Sequence, residues 1–130
     1  MATILVVDDS KFERDALRKM LEEAGHQVVG EAEDGVEAYL QYLRLQPDLV
    51  TMDVEMPRMD GIRALRKILY HFTDAKIVMI SGNTERGSVM RSIWLGAKNF
   101  IVKPVAAAKL NQIIDSVLGG GNKKTSSAPQ

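Results

Sequence analysis

Hydrophobic and polar positions follow two patterns that alternate along the chain. Five short segments are dominated by apolar residues, as is typical of strands in a parallel sheet, and they comprise residues 3–7, 27–32, 48–53, 76–80 and 99–102. After each of them, apolar residues recur every three or four positions, which is the spacing of an amphipathic helix. Because the two patterns alternate strictly with short connections, the sequence predicts an α/β fold: a doubly wound, five-stranded parallel sheet with helices on both faces.

Capping residues mark the starts of the first two helices. Ser10 with Glu13 matches the capping box, in which each side chain of the pair bonds the other residue's backbone N–H, and Asp34 with Glu37 is expected to cap the second helix. Asp60 is expected to cap the third helix. The apolar positions predicted to face the core in these helices are Phe12, Ala16, Leu17, Met20, Leu21 and Ala24, then Val36, Tyr39, Leu40 and Leu43, then Ile62, Leu65, Ile68, Leu69 and Phe72.

The predicted fourth helix, roughly residues 84–95, has more apolar surface than one side of a helix buries. Val89 and Ile93 share one face, and Met90 and Trp94 share the adjacent one. Since tryptophan and methionine are enriched at interface cores, Val89, Ile93 and Trp94 are predicted to belong to a partner-binding face. The alternative interpretation is that Trp94 lies half-buried against the edge of the sheet.

The periodic pattern ends after the fifth helix, which is expected at about residues 106–118. Three glycines at 119–121 follow, and residues 122–130 have no apolar face to bury, a pattern typical of disorder. We therefore expect one folded domain at residues 1–118. Residues 119–130 are expected to form a disordered polar tail or the start of a linker.

Composition and charge exclude several classes of protein. The 130 residues include 17 basic and 17 acidic side chains, so no overall charge attracts nucleic acid or an anionic membrane. The absence of cysteine excludes disulfides and thiolate chemistry. No segment reaches the roughly 18 apolar residues of a membrane span, and Asp8 interrupts the first apolar run, unlike a signal peptide. We expect a cytoplasmic protein.

Polar side chains come directly after four of the predicted strands. Asp8 and Asp9 follow the first strand, Asp53 ends the third, and Ser81 and Lys103 follow the fourth and fifth. Parallel α/β sheets bind ligands at the carboxyl ends of their strands. Three carboxylates meeting there would repel one another unless a cation lay among them, and such oxygen ligands suit Mg²⁺. A set of helix caps and one solvated lysine would be the ordinary alternative, but five such groups at one edge favour a site.

These residues stand in motifs that resemble those of response-regulator receiver domains in two-component signalling, most closely the single-domain chemotaxis type. The matching segments are Asp8–Asp9, MDVEMPRMDG at residues 52–61, Ser81–Gly82 and Lys103–Pro104, in this order. The likeness covers about residues 3–118. It implies the flavodoxin-like strand order 2-1-3-4-5.

The resemblance also implies a chemistry for the acids. Asp53 would accept a phosphoryl group from a histidine kinase in a Mg²⁺-dependent reaction. The metal would be held directly by Asp9 and Asp53 and by the backbone carbonyl of Glu55, with Asp8 acting through water. The protein would catalyse its own phosphorylation and dephosphorylation without being a conventional enzyme.

Further roles follow from the same resemblance. Lys103 would bind the phosphoryl oxygens, Ser81 would donate its hydroxyl to them, and Pro104 would follow a cis peptide bond that directs the lysine inward. Movement of Ser81 would open space for Phe100, although Phe100 as an ordinary core residue is the alternative. The phosphorylated form, a monomer or a weak dimer, would bind an output protein through the fourth helix, fifth strand and fifth helix.

Two flanking positions are predicted to tune the lifetime of the phosphoryl group. Glu55 lies two residues after the acceptor and Asn83 two residues after Ser81, so both side chains should overhang the phosphoryl group. There they can orient or block the water that hydrolyses it.

Other functions fit the sequence less well. A haloacid-dehalogenase-type phosphatase also uses an aspartyl nucleophile with Mg²⁺, but it needs an Asp where this chain has Glu55, and a longer chain. A dinucleotide-binding domain needs a glycine-rich turn after its first strand, where Asp8 and Asp9 stand instead. A binding module with an inactive site would lack an acid or the lysine. A receiver fragment of a larger regulator, such as a methylesterase, stays open.

Overall fold

The computed structural model describes residues 1–82 and 86–120, and strands and helices alternate throughout this part of the chain. The elements are β1 (Thr3–Val7), α1 (Lys11–Glu23), β2 (Gln27–Ala32), α2 (Gly35–Leu45), β3 (Leu49–Asp53), α3 (Gly61–His71), β4 (Ile77–Ser81), α4 (Arg86–Leu95), β5 (Asn99–Val102), α5 (Ala107–Asp115) and a π-helical turn (Ser116–Gly120). The predicted alternation of five strands and five helices is confirmed.

All five strands are parallel, in the order β2-β1-β3-β4-β5. This confirms the doubly wound sheet and the strand order that the resemblance implied. In the register of neighbouring strands, Val7 pairs with Met52 and Asp53 pairs with Ile80. Ser81 in turn pairs with Val102. The carboxyl ends of β1, β3, β4 and β5 therefore lie level along one edge of the sheet.

Two apolar layers cover the sheet, one on each face. The first layer contains strand residues such as Met52 and Met79 and is covered by α2 and α3. Ala97, two residues after α4, belongs to this layer, and Leu95 at the end of α4 packs against it. The second contains strand residues such as Val6 and Ile80, covered by α1 and α5. Because side chains alternate along a strand, residues of β1 and β3 contribute to both layers.

The predicted apolar faces of α1 and α2 were too wide. Phe12 is 82% exposed and Leu40 is 57% exposed, and Leu43 is also exposed. At about 100° per residue, Phe12 lies roughly opposite Leu21, which α1 buries against the sheet, and Leu40 lies about 160° from the buried Tyr42 of α2. Each helix contacts the sheet through a narrow stripe, which these side chains fall outside.

The carboxyl-terminal helix ends differently from the prediction. Regular α5 stops at Asp115, and the chain continues through the π-helical turn, which includes Gly119 and Gly120 of the expected tail. Residues 121–130 lie outside the described part of the chain, so the expected disorder of the tail stays a prediction. In the ranges that the structure describes, no helix is both long and apolar enough to cross a membrane.

Candidate functional site

Three carboxylates meet at the carboxyl ends of β1 and β3. Asp8, Asp9 and Asp53 each offer an oxygen, and these oxygens lie within 4.8 Å of one another. Asp8 and Asp53 are buried, whereas Asp9 is exposed. Asp9 and Asp53 border a cavity of about 610 Å³, whose lining is completed by Glu55, Ser81, Gly82 and Lys103. The structure therefore brings together the strand-end residues that the sequence singled out.

The end of β3 is held in place by the start of α3. The Gly61 N–H donates to the carbonyl oxygen of Val54 at 2.7 Å. A Cβ atom at Gly61 would collide with the carbonyl oxygen of Asp53, so this approach of helix to strand requires glycine. Asp60 caps α3, accepting from the Arg63 N–H at 2.8 Å. The start of α3 therefore holds the backbone at Asp53 and Val54 in place.

Burial and charge raise the pKa of Asp53 to about 6. Desolvation is the largest cause, the negative charges of Asp8 and Asp9 add to it, and the positive charge of Lys103 opposes it. A pKa raised in this way means that the site disfavours three negative charges together. A divalent cation with oxygen ligands relieves that repulsion, so the residues present fit Mg²⁺.

Asp8 is already engaged through both of its carboxylate oxygens. Oδ1 accepts from the Ser10 N–H at 2.9 Å, and Oδ2 accepts from Lys103 Nζ at 3.0 Å. The Asp8 backbone carbonyl also accepts from the buried guanidinium of Arg14 at 2.7 Å. Both oxygens of this carboxylate thus have protein partners, and the role of Asp8 at a metal through water stays a prediction.

Lys103 lies among three carboxylates. Its Nζ is 2.7 Å from Glu13 Oε1, 3.0 Å from Asp8 Oδ2 and 3.7 Å from Asp53 Oδ1. Burial by itself would lower the pKa of Lys103, but the hydrogen bonds to Glu13 and Asp8 outweigh it and raise the pKa above its ordinary value. Lys103 is therefore a permanent cation at this edge of the sheet.

The ends of β4 and β5 are tied together beside the acids. The Lys103 N–H donates to the carbonyl oxygen of Ser81 at 3.0 Å, and the Lys103–Pro104 peptide bond is cis, as expected. Ser81 is buried. Phe100 is partly buried against the layer that α2 and α3 cover, next to Met79 across the strand pair. Phe100 thus packs as a core residue within reach of β4.

The outer face of α4 carries three large apolar side chains. Trp94 is 87% exposed, Met90 63% and Ile93 47%, while Val89 is half-buried. The alternative in which Trp94 lies half-buried against the sheet is therefore wrong. Among residues 87–95, the part of α4 whose side chains are described, only the small Ser92 is fully buried.

Sequence reasoning missed two residues of the site and named one that cannot be placed. Glu13 was interpreted as half of a capping box, and Arg14 was not singled out at all. No pattern in the sequence joins Glu13 to Lys103, ninety positions further along the chain, so only the packing of α1 beside β5 reveals this contact. Asn83 lies outside the described residues.

The doubly wound sheet and the acids and lysine at its carboxyl edge define the class of the protein as a receiver-type α/β domain. The chain belongs to the response regulator receiver domain family, whose sequence model matches residues 4–115. It is therefore the receiver domain of a signalling protein and not a conventional enzyme. This confirms the resemblance found in the sequence.

Individual relatives agree with this assignment. The chain is 46% identical to Protein CcdB of Bacillus subtilis, covering 92% of this chain and 99% of that protein. It is 44% identical to the chemotaxis protein CheY of the same organism, covering 88% and 96%. The structure of the CheX-CheY-BeF3-Mg complex from Borrelia burgdorferi matches with a TM-score of 0.86 at 38% identity, covering 88% of this chain and 87% of that one.

A longer relative carries a similar domain. A protein-glutamate methylesterase/protein-glutamine glutaminase of Geobacter sulfurreducens is 43% identical over 102 residues, which is 78% of this chain and 27% of that protein. Similarity of the receiver domain therefore extends both to single-domain chemotaxis proteins and to larger regulators.

Proposed function

We propose that this domain is a signalling switch that accepts a phosphoryl group on Asp53 from a histidine kinase. The observation that carries the proposal is the place of Asp53. It is buried at the end of β3 beside a cavity, with the Asp8 and Asp9 carboxylates next to it and the Lys103 ammonium 3.7 Å away. Carboxylates form acyl phosphates when they are positioned and their charge is compensated.

The chemical step is a displacement at phosphorus. An oxygen of the ionised Asp53 carboxylate forms a bond to phosphorus while the bond from phosphorus to the donor nitrogen breaks. With phosphoramidate as donor, the leaving group departs as ammonia with the protons that it carries in the zwitterion. With a kinase, the imidazole of a phosphohistidine leaves instead. In the same domain, water then attacks phosphorus and the bond to the Asp53 oxygen breaks, which releases inorganic phosphate and restores the Asp53 carboxylate.

Mg²⁺ is the cofactor that the donor set fits. Asp9, Asp53 and the backbone carbonyl of Glu55 would hold it, with Asp8 supporting it through water. When bound, the ion neutralises negative charge on the acids and on the transferring group. Lys103 supplies a fixed positive charge to the phosphoryl oxygens, and the Ser81 hydroxyl donates a hydrogen bond to them.

The conformational change caused by phosphorylation reaches an output protein through the surface of α4, β5 and α5. Ser81 moves toward the new oxygens, and Phe100, which packs beside β4, follows it. The readout is a shift between two packings of this side of the sheet, and an output protein binds one of them. The exposed Ile93 and Trp94, with half-buried Val89, offer the apolar surface for that partner.

Glu55 tunes the lifetime of the signal, together with Asn83. Glu55 lines the cavity that holds Asp53 and its side chain is exposed, so its carboxylate can orient a hydrolytic water. Replacing both residues by Ala should change the autodephosphorylation rate several-fold, about 1 kcal/mol in the barrier, with Mg²⁺ affinity nearly intact. Loss of Mg²⁺ affinity in Glu55→Ala with an unchanged lifetime would show that the side chain is a ligand.

Phosphorylation of the isolated chain tests the proposal. Phosphoramidate or acetyl phosphate with Mg²⁺ should add one phosphoryl group, detectable by intact-protein mass spectrometry, and Asp53→Asn should abolish the addition. Asp15→Asn, on the exposed side of α1, is a control that also removes one carboxylate. Modification that persists in Asp53→Asn, or that proceeds fully in EDTA, would refute the assignment.

The second candidate is a receiver unit of a larger regulator, and the similarity to a methylesterase favours it. The chemistry at Asp53 would then be the same, but the output would be an attached domain following residues 1–118, with 119–130 as its linker. The length of the intact reading frame separates the two candidates.

A further inference from the structure

We propose that Glu13 is a positioning residue for phosphoryl transfer, one that holds Lys103 away from Asp53 and thereby slows phosphorylation. The inference rests on the proposed function, since it assumes that Asp53 is the acceptor. It assigns a role to a side chain that the sequence pattern places in a helix cap.

The distances show which carboxylate holds the lysine. Lys103 Nζ lies 2.7 Å from Glu13 and 3.0 Å from Asp8, both within hydrogen-bonding distance, but 3.7 Å from Asp53. At 3.7 Å the contact with Asp53 is an ion pair without a good hydrogen bond. The cation that the phosphoryl group needs is therefore bound mainly by two acids that are not the acceptor.

Of these two acids, Glu13 is the one that can release the lysine. The Asp8 side chain is only 2% exposed and is anchored by the Ser10 N–H. The Glu13 side chain is 40% exposed and extends from the first turn of α1. A glutamate at the surface can turn into solvent at low cost, whereas the Asp8 carboxylate has no such freedom. Glu13 therefore acts as a releasable partner for Lys103.

The cap of α1 does not need the Glu13 carboxylate. The Glu13 backbone N–H donates to Ser10 Oγ at 3.3 Å, which is one half of the predicted capping box. The other half does not form, because the Ser10 N–H donates to Asp8 instead. Replacing Glu13 by Gln thus keeps the backbone bond that caps the helix and removes only the charge beside Lys103.

The consequence is competition for one ammonium group. Before phosphorylation, Glu13 draws Lys103 toward the outer side of the site. When the phosphoryl oxygens arrive they must displace Glu13 from the lysine, and this costs part of the stabilisation that Lys103 would otherwise supply. Without the Glu13 charge, Lys103 is available to Asp53 and to the transferring group from the start.

The experiment compares Glu13→Gln with Asp15→Asn at saturating Mg²⁺. Asp15 is a carboxylate on the same helix, two residues away, but its partner is Lys11 at 2.9 Å, so its loss changes net charge without touching Lys103. The rate of phosphorylation by phosphoramidate should rise about two- to fivefold in Glu13→Gln and stay unchanged in Asp15→Asn. Affinity for beryllofluoride, measured by calorimetry, should rise by a similar factor.

Two further measurements separate positioning from a general effect on the fold. The acceleration should shrink at high salt, because the Glu13–Lys103 pair is partly exposed and is screened. It should also vanish in a Lys103→Ala background, since Glu13 acts only through the lysine.

The possible outcomes separate the role of Glu13 from the proposed function of Asp53. An unchanged or slower rate in Glu13→Gln, an equal acceleration in Asp15→Asn, or an acceleration that survives without Lys103 would overturn the inference and leave Asp53 as the acceptor. If the parent chain takes up no phosphoryl group at all, the proposed function itself is wrong.

Discussion

The acidic site and the outer face of α4 differ in how they are attached to the hydrophobic core. Asp53 and Ser81 end buried strands, and Asp8 directly follows one, so the sheet sets the position of each backbone. The α4 helix turns the large apolar side chains of Met90 and Trp94 to solvent. The acidic site is therefore fixed by the core, whereas the proposed partner face is attached to the core by few apolar side chains.

Ser92 shows why α4 is weakly attached. It is fully buried, but its hydroxyl donates to the carbonyl oxygen of Ser88 in the same helix at 2.8 Å. By contrast, α3 buries Leu65 and Ile68 completely. Elements that bury little apolar surface have low local stability and are the ones that shift in switches. We therefore expect α4 to move more easily than the strand ends that hold Asp53 and Ser81.

Two glycine substitutions, one at the start of α3 and one in α4, should give the largest difference in the free energy of unfolding. Gly61→Ala places a methyl group on the carbonyl oxygen of Asp53, so we expect a loss of about 3 kcal/mol or more in the free energy of unfolding. Gly87→Ala in α4 meets no atom within 4 Å, so it should stabilise the helix by about 0.5–1 kcal/mol. Urea denaturation measures both.

Equal effects of the two glycine variants would contradict the comparison. A Gly61→Ala protein as stable as the parent would mean that α3 can move away from β3, and the account of a site fixed by close backbone approach would then fail.

The next largest effect on the free energy of unfolding should be its dependence on pH. The raised pKa of Asp53, about 6 against the ordinary 3.8, means that folding favours its protonated form. The Asp53 side chain therefore contributes fully to stability below about pH 4, and this contribution is lost as the pH rises through 6. Without metal, Asp53→Asn should be more stable than the parent at pH 7.5 by about 1–3 kcal/mol, and the difference should vanish near pH 4.

Denaturation of the parent chain and of Asp53→Asn in EDTA checks the sign of this difference in stability. The pKa of Glu31 is lowered by hydrogen bonds from Arg18 and Arg14 despite burial, and that of Asp34 by the Glu37 N–H and then by Arg58. Both groups are present in the two proteins, so their effects cancel in the difference. Mg²⁺ at neutral pH should reduce the gap, because it binds the parent more tightly. A parent more stable than Asp53→Asn at pH 7.5 in EDTA would contradict the electrostatic account.

The smallest effect on stability is expected on the α4 face. Trp94→Ala removes a side chain that is 87% exposed, so the free energy of unfolding should change by no more than about 0.5 kcal/mol. Binding of the phosphorylated domain to its output protein should nevertheless weaken at least tenfold, as for an aromatic residue at the centre of an interface.

The exposed Phe12 on α1 provides the matched control for that prediction. Phe12→Ala also removes a large exposed aromatic side chain, but from the other layer of helices, so output binding should be unaffected. Equal losses of binding in the two variants would place the partner surface elsewhere.

The sequence by itself determined the fold and the strand-end residues of the site. Apolar segments and helical periodicity are local properties, so the alternation of elements was readable, and a parallel sheet necessarily brings the ends of its strands to one edge. Asp8, Asp9, Asp53, Ser81 and Lys103 could be grouped for that reason. Their roles in phosphoryl transfer stay predictions that the experiments above address.

Only the tertiary structure decided which neighbours these residues have. Whether Glu13 bonds the start of its own helix or Lys103 depends on how α1 lies beside the end of β5, and no periodicity encodes that distance. The exposure of Phe12 and Trp94 was likewise set by the narrow stripe through which each helix contacts the sheet. Patterns along a chain report which side chains are apolar or charged, but the pairing of distant charges and the orientation of each helix arise when the layers pack.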